Sequence, residues 1–163
     1  MSGIVNFTSD SILGMPTAST YTLTKGALFG VNKTLAIEGR PHNININCVS
    51  PIAHKPGIER HIQHFSEDAK GLFRTIYTPE GNVPIILALI SDQCHVSGEV
   101  FNVAGCSVGR TVWGVARGES EMKTVEQCLS KLDDLCQKGQ RQIYEPIGMA
   151  DFVEFQAKYV LGK

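Results

Sequence analysis

Tyr21 and Lys25 stand four residues apart at the start of a stretch whose apolar residues recur at helical steps. Positions i and i+4 share one face of a helix, so this spacing places the lysine ammonium beside the tyrosine phenol. A cation next to a phenol favours the phenolate, which makes it a better proton donor and acceptor near neutrality than a lone phenol. The pair therefore has the composition of a general acid–base centre. Tyr-x-x-x-Lys also recurs by coincidence, with the ring merely packed on the lysine stem. The segments on either side give it weight.

Gly3-Ile4-Val5-Asn6-Phe7 is short, apolar and β-branched, the pattern of a buried parallel strand. Thr8 to Thr20 is rich in Ser, Thr, Gly and Pro and reads as a loop. From Tyr21 to Gly39 the residues Leu23, Ala27, Leu28, Val31, Leu35 and Ala36 form one helical stripe. Thr20 is placed to cap that helix, and Gly39 with Pro41 ends it. Ile44 to Val49 reads as a second strand, and Pro51 and Pro56 make Ser50 to Gly57 irregular.

Residues 58 to 74 are polar, with a weak helical pattern. Thr78-Pro79-Glu80-Gly81 opens a helix that runs through Val83, Ile86, Leu87, Leu89 and Ile90. Ser97-Gly98 turns into a third strand ending near Val103. This alternation is the grammar of a parallel α/β sheet with right-handed crossovers. After Arg110 it changes. Glu119 to Lys138 carries Val125, Cys128, Leu129, Leu132, Leu135 and Cys136 on one helical face, and the segment with Phe152, Phe155 and Tyr159 suggests a further short helix.

The succession of strand, Asn6-Phe7-Thr8-Ser9, loop, Tyr21-x-x-x-Lys25 and Asn47-Cys48-Val49-Ser50-Pro51 resembles the short-chain dehydrogenase/reductase family. It looks most like the branch holding the hydroxyacyl-CoA dehydrogenase module of multifunctional enzymes. Gly14-Met15-Pro16, Ala36-Ile37-Glu38-Gly39-Arg40, Asn43 to Asn47, and Gly98-Glu99-Val100-Phe101 with Ala104-Gly105 and Arg110 are similar to that branch. The resemblance spans residues 3 to about 117.

It implies the C-terminal half of a Rossmann-like, doubly wound parallel α/β sheet, without the N-terminal dinucleotide-binding strands, plus a helical tail. Residues 1–112 would be the truncated catalytic half and 113–163 the helical extension. The implied activity is NAD(P)-dependent interconversion of a carbonyl and an alcohol. By carry-over, Tyr21 exchanges the proton, Lys25 also bonds the nicotinamide ribose, and Ser9 holds the substrate oxygen. Tyr21, Lys25, Pro51 and Ile52 are the implied cofactor contacts.

Ser9 lies one residue nearer the tyrosine than is usual in the family, and Ser11 is the competing serine. Where the family has a Gly and a later Thr after the proline, this chain has Ile52-Ala53-His54-Lys55-Pro56. The family's glycine-rich phosphate turn is not found in this sequence. Neither is its upstream catalytic asparagine, nor the residue that separates NAD from NADP, so either cofactor is open. Three readings follow: a short-chain oxidoreductase half, a non-catalytic remnant serving as an oligomerisation module, and a cofactor-free isomerase or lyase using Tyr21 as an acid.

Composition narrows the field. The chain has 163 residues, 42% hydrophobic and 19% charged, with a formal net charge of -1, which gives no electrostatic reason to expect nucleic acid or an anionic membrane. No apolar run is long enough to span a bilayer. The N-terminus lacks a secretory pattern, and Leu161-Gly162-Lys163 is not a peroxisomal address. Five scattered cysteines, with no two-residue gap, suggest reduced thiols in a cytoplasmic protein. His54, His61 and His64 lack a carboxylate or cysteine at ligand spacing, so a solvated lid is expected and no metal. The expected partners are a small carbonyl or alcohol substrate and either further copies of the chain or a complementary N-terminal fragment.

Overall fold

The computed structural model describes residues 2–57, 59–63, 65–120, 122–136 and 142–160. Strand β1 (Ser2–Phe7) pairs in parallel with β2 (Ile44–Ile52), and β2 pairs in parallel with β3 (Val100–Ala104). Helix α1 (Ser19–Gly39) links β1 to β2. Helices α2 (Glu59–Ile62), α3 (Glu67–Thr75) and α4 (Val83–Ile90) lie between β2 and β3. Cys48 packs with Phe29 of α1, while its neighbour Val49 packs with Leu89 of α4. Adjacent strand residues point to opposite faces, so α1 and α4 cover the two sides of the sheet. This is the doubly wound α/β layering expected from the alternating pattern.

Four boundaries differ from the sequence reading. The first is β2, which runs on to Ile52 through Pro51. Its pairing with β1 ends at Val49, so beyond that point it has one ladder partner and alternate N–H groups are free, where a proline removes nothing.

The second is α1, which begins at Ser19 after Ala18 with no side-chain cap, so Thr20 lies inside the helix. The third is the polar segment after β2. It forms both α2 and α3, the latter capped by Ser66 accepting from the Ala69 amide at 3.3 Å. The fourth is β4 (Ser107–Thr111), which returns antiparallel on β3. Gly105 and Cys106 both take left-handed backbone (φ 46° and 55°), the requirement of a two-residue hairpin turn.

The chain divides into two compact units, Met1–Thr111 and Val112–Lys163. In the second, β5 (Val115–Ala116) pairs antiparallel with β6 (Ile143–Tyr144), a ribbon the sequence did not suggest. Helix α5 (Val125–Cys136) starts later than Glu119 because Thr124 and Gln127 form a capping box. The Thr124 hydroxyl accepts from the Gln127 backbone N–H at 3.2 Å, and the Gln127 side-chain oxygen accepts from the Thr124 backbone N–H at 3.0 Å. Lys138, expected at the end of this helix, lies outside the described residues. In α6 (Met149–Val160), Phe155 stacks on Tyr144 with centroids 4.3 Å apart. Asp151 hydrogen-bonds the Tyr144 phenol and raises its pKa above the ordinary value. Among the described residues no helix is long and apolar enough to cross a membrane.

The sheet order is β1-β2-β3-β4, which leaves β1 at an edge among the described residues. Ile4 and Phe7 on that strand are 45% and 42% exposed. An open apolar edge is a template for pairing with another chain. The isolated chain is therefore expected to self-associate or to need a covering partner. Light scattering with a dye for apolar surface checks this. A sharp monomer peak, a cooperative melt and no dye uptake would contradict it.

Candidate active site

The site gathers where β1 ends and α1 begins. Lys25 extends from the second turn of α1, and its ammonium donates to the Phe7 carbonyl at 2.8 Å. In return the Thr8 hydroxyl, on a residue only 3% exposed, donates to the Lys25 carbonyl at 2.8 Å. These two bonds lock the helix to the strand end. The Lys25 ammonium lies 5.8 Å from the centroid of the Tyr21 ring, so the helical spacing does bring the pair onto one face. Tyr21 is 48% exposed and open to a ligand, while Lys25 is half-buried.

Ser9 caps a short 3-10 turn, Asp10–Leu13, and its hydroxyl oxygen accepts from the Ser11 amide at 3.2 Å. Acceptance through oxygen leaves the Ser9 hydroxyl hydrogen free to donate to a ligand oxygen. Ser11 is 6% exposed, and its buried hydroxyl has no protein partner. The two serines thus differ. Ser9 sits half-buried at the turn entrance and Ser11 inside it.

Asp10, between them, was not singled out from the sequence. Its carboxylate accepts from the Ser50 hydroxyl at 2.7 Å and from the Asn102 side-chain amide. Those partners lie on β2 and β3, 40 and 92 residues away in sequence, so no local pattern could announce them.

Pro51 is exposed and Ile52 half-buried at the end of β2. The Ile52 carbonyl accepts from the Asn82 side-chain amide at 3.2 Å, which holds the strand end in place. Asn82 is a second residue that sequence reasoning missed. Beneath the site, burial pushes the Cys48 thiol up, with weaker opposing effects from backbone hydrogen bonds and Lys25, so it stays a protonated core thiol.

The segment after β2 closes on itself through the His54 amide donating to the Tyr77 carbonyl at 2.6 Å. Arg74 donates to both carboxylate oxygens of Glu59, at 3.3 and 3.1 Å, and His54 stands 3.7 Å from the same group. Arg74, then His54, hold the Glu59 carboxyl below its usual range. His61 falls in α2, and His64 lies outside the described residues. Among the described residues no three His, Cys, Asp or Glu side chains are arranged to hold a metal.

A family model described as enoyl-(acyl carrier protein) reductase matches residues 1–106. Dehydrogenase/reductase SDR family member 4 from Homo sapiens is 34% identical over 101 residues, 58% of this chain and 36% of that protein. The chain belongs to the short-chain dehydrogenase/reductase family. Within it, peroxisomal multifunctional enzyme type 2 from Mus musculus is 25% identical over 138 residues, 82% of this chain and 18% of that one. The solved structure of full-length peroxisomal multifunctional enzyme type 2 from Drosophila melanogaster superposes with a TM-score of 0.76 at 18% identity. That match covers 99% of this chain and 29% of the solved chain, and it shows the shared fold. The chain thus spans about a third of the length of the first of these curated relatives.

Two expectations follow from the geometry. The loop between Ser9 and Tyr21 contains Thr17 with left-handed backbone (φ 65°), costly for a β-branched residue. Thr17→Asn should raise stability by about 1 kcal/mol, read as a higher melting midpoint. Glu59 titrates with its carboxyl depressed in the folded state. Its contribution is therefore present above the ordinary glutamate value of about 4.3 and is lost as pH falls through the folded value. Amide exchange across residues 59–75 should rise selectively below about pH 4, and Glu59→Gln should remove that pH dependence.

Proposed function

We propose that this chain is the proton-transfer half of a nicotinamide-dependent reductase that interconverts a small carbonyl compound and its alcohol. The observation that carries this reading is the Lys25 ammonium, bonded to the Phe7 carbonyl and 5.8 Å from the Tyr21 ring centroid, on the turn of α1 that overlies the Ser9-bearing strand end. Tyr21 is the proton donor to the carbonyl oxygen in reduction and the acceptor in oxidation. Lys25 sets its positive charge on the same helix face as the phenol, and its ammonium has hydrogens beyond the one given to Phe7 with which to hold ribose hydroxyls. Ser9 donates its hydroxyl hydrogen to the same substrate oxygen, which makes it the better candidate than the buried Ser11.

The cofactor, NAD or NADP, supplies or accepts the hydride. The residues present fit its nicotinamide end: Tyr21 and Lys25 on α1, with Pro51 and Ile52 at the end of β2. They do not fit its pyrophosphate. Gly105 and Gly109 belong to the β3–β4 hairpin, and among the described residues no helix opens directly behind them to face a phosphate. A complementary N-terminal segment of the family fold, pairing with the open edge of β1, would supply that cradle. Five free thiols favour a reducing compartment, and we place the protein in the cytoplasm.

A second reading, a non-catalytic association module, is favoured by Leu23, Val31 and Ile37 of α1 and Val83, Leu87 and Ile90 of α4, all exposed apolar residues. Fluorescence titration with NADH and NADPH separates the two. Micromolar binding to this chain, alone or in its native assembly, defeats the association-only reading. In a turning-over assembly, Tyr21→Phe should lower kcat at least about 10²-fold with cofactor affinity kept. Full turnover by Tyr21→Phe would refute the proton-donor assignment.

A further inference from the structure

The Ser9 loop is held from two sides. On one side Thr8 and Lys25 fasten it to α1. On the other, the Asp10 carboxylate reaches β2 and, beyond it, β3, taking hydrogen bonds from Ser50, only 2% exposed, and from Asn102. Ser9 lies between these attachments, and its hydroxyl is oriented by the Ser11 amide of the same turn. We infer that Asp10 is a positioning residue. It tethers the turn to β2 and β3 and so sets where the Ser9 hydroxyl meets the substrate oxygen. This rests on the carbonyl-reduction reading above.

The chemistry of the tether explains why an acceptor stands there. Ser50 and Asn102 both present donors toward one point from adjacent parallel strands, and a carboxylate offers an oxygen to each. Alanine would leave the buried Ser50 hydroxyl without its partner and free the turn. Asparagine would keep both bonds once the Asn102 amide turns over: its oxygen still accepts from the Ser50 hydroxyl, and its NH2 donates to the Asn102 oxygen. The tether thus depends on hydrogen-bond geometry, and the isosteric amide is its rescue.

The test compares Asp10→Ala and Asp10→Asn with the unaltered chain, first by amide exchange on the full chain. Loss of two hydrogen bonds should raise exchange of residues 9–14 by about tenfold in Asp10→Ala, with Asp10→Asn near the unaltered rate. The second arm uses the assembly purified from its native cells, with NADH or NADPH and a panel of ketones, β-ketoacyl thioesters and sugars. Asp10→Ala should lower kcat by about 10²-fold with the KM for cofactor unchanged, and Asp10→Asn should restore most of it. Unchanged exchange in Asp10→Ala, or turnover indifferent to it, overturns the role of Asp10 and leaves the reductase reading intact. An unaltered assembly that reduces none of the panel overturns the reductase reading instead, and with it the catalytic meaning of the tether.

Discussion

Lys25 and the end of β1 hold one another by two hydrogen bonds that run in opposite directions. The ammonium gives to the Phe7 carbonyl, and the Thr8 hydroxyl gives to the Lys25 carbonyl. Everything else about the site depends on this. A helix turns about 100° per residue, so a slip of one position would carry Tyr21 off the strand end altogether. Pairing through the helix backbone as well as through the side chain resists both rotation and sliding. The lysine side chain therefore ties the helix to the strand end, and its ammonium keeps hydrogens beyond the one given to Phe7.

The same strand end is where the sheet offers a ligand its place. Open α/β sheets bind ligands outside the carboxyl ends of their strands. Here β1 ends at Ser9 and its turn, β2 at Pro51 and Ile52, and β3 at the hairpin through Gly105. Asp10 and Asn82 knit those ends together from different directions, Asp10 to Ser50 and Asn102, Asn82 to the Ile52 carbonyl. The Arg74–Glu59 pair, with His54 3.7 Å from the same carboxylate, shapes the segment that follows β2. Together these residues fix the strand ends beside Lys25, while Ile4 and Phe7 leave the edge of β1 apolar and exposed among the described residues.

Much of this was readable along the chain. The Tyr21–Lys25 pair is local, four residues on one helix, so periodicity alone placed the two side chains together. The strands and helices of the first unit follow from short β-branched runs alternating with helical stripes, and the doubly wound α/β layering follows from that order. Family resemblance across residues 3 to about 117 agreed with a family model matching residues 1–106. Other features escaped. The β3–β4 return rests on two left-handed residues at Gly105 and Cys106, of which only the glycine advertises itself. Helices α2 and α3 are held by Ser66 capping, the Arg74–Glu59 bonds and burial of Ile62, contacts that a weak helical pattern does not reveal.

The sequence by itself determined which residue types share a helical turn, where strands and helices alternate, and which chemistry a phenol beside an ammonium can perform. Only the tertiary structure decided that Ser9 is half-buried while Ser11 is enclosed, and that Asp10 ties the turn after β1 to β2 and β3. It also decided that Lys25 is anchored to a carbonyl rather than free. The reason is physical. Helical and strand periodicities are fixed by backbone geometry within a few residues, whereas Asp10 meets Ser50 and Asn102 across 40 and 92 residues. Such meetings depend on the crossover helices folding back over the sheet, and no short-range pattern carries that information.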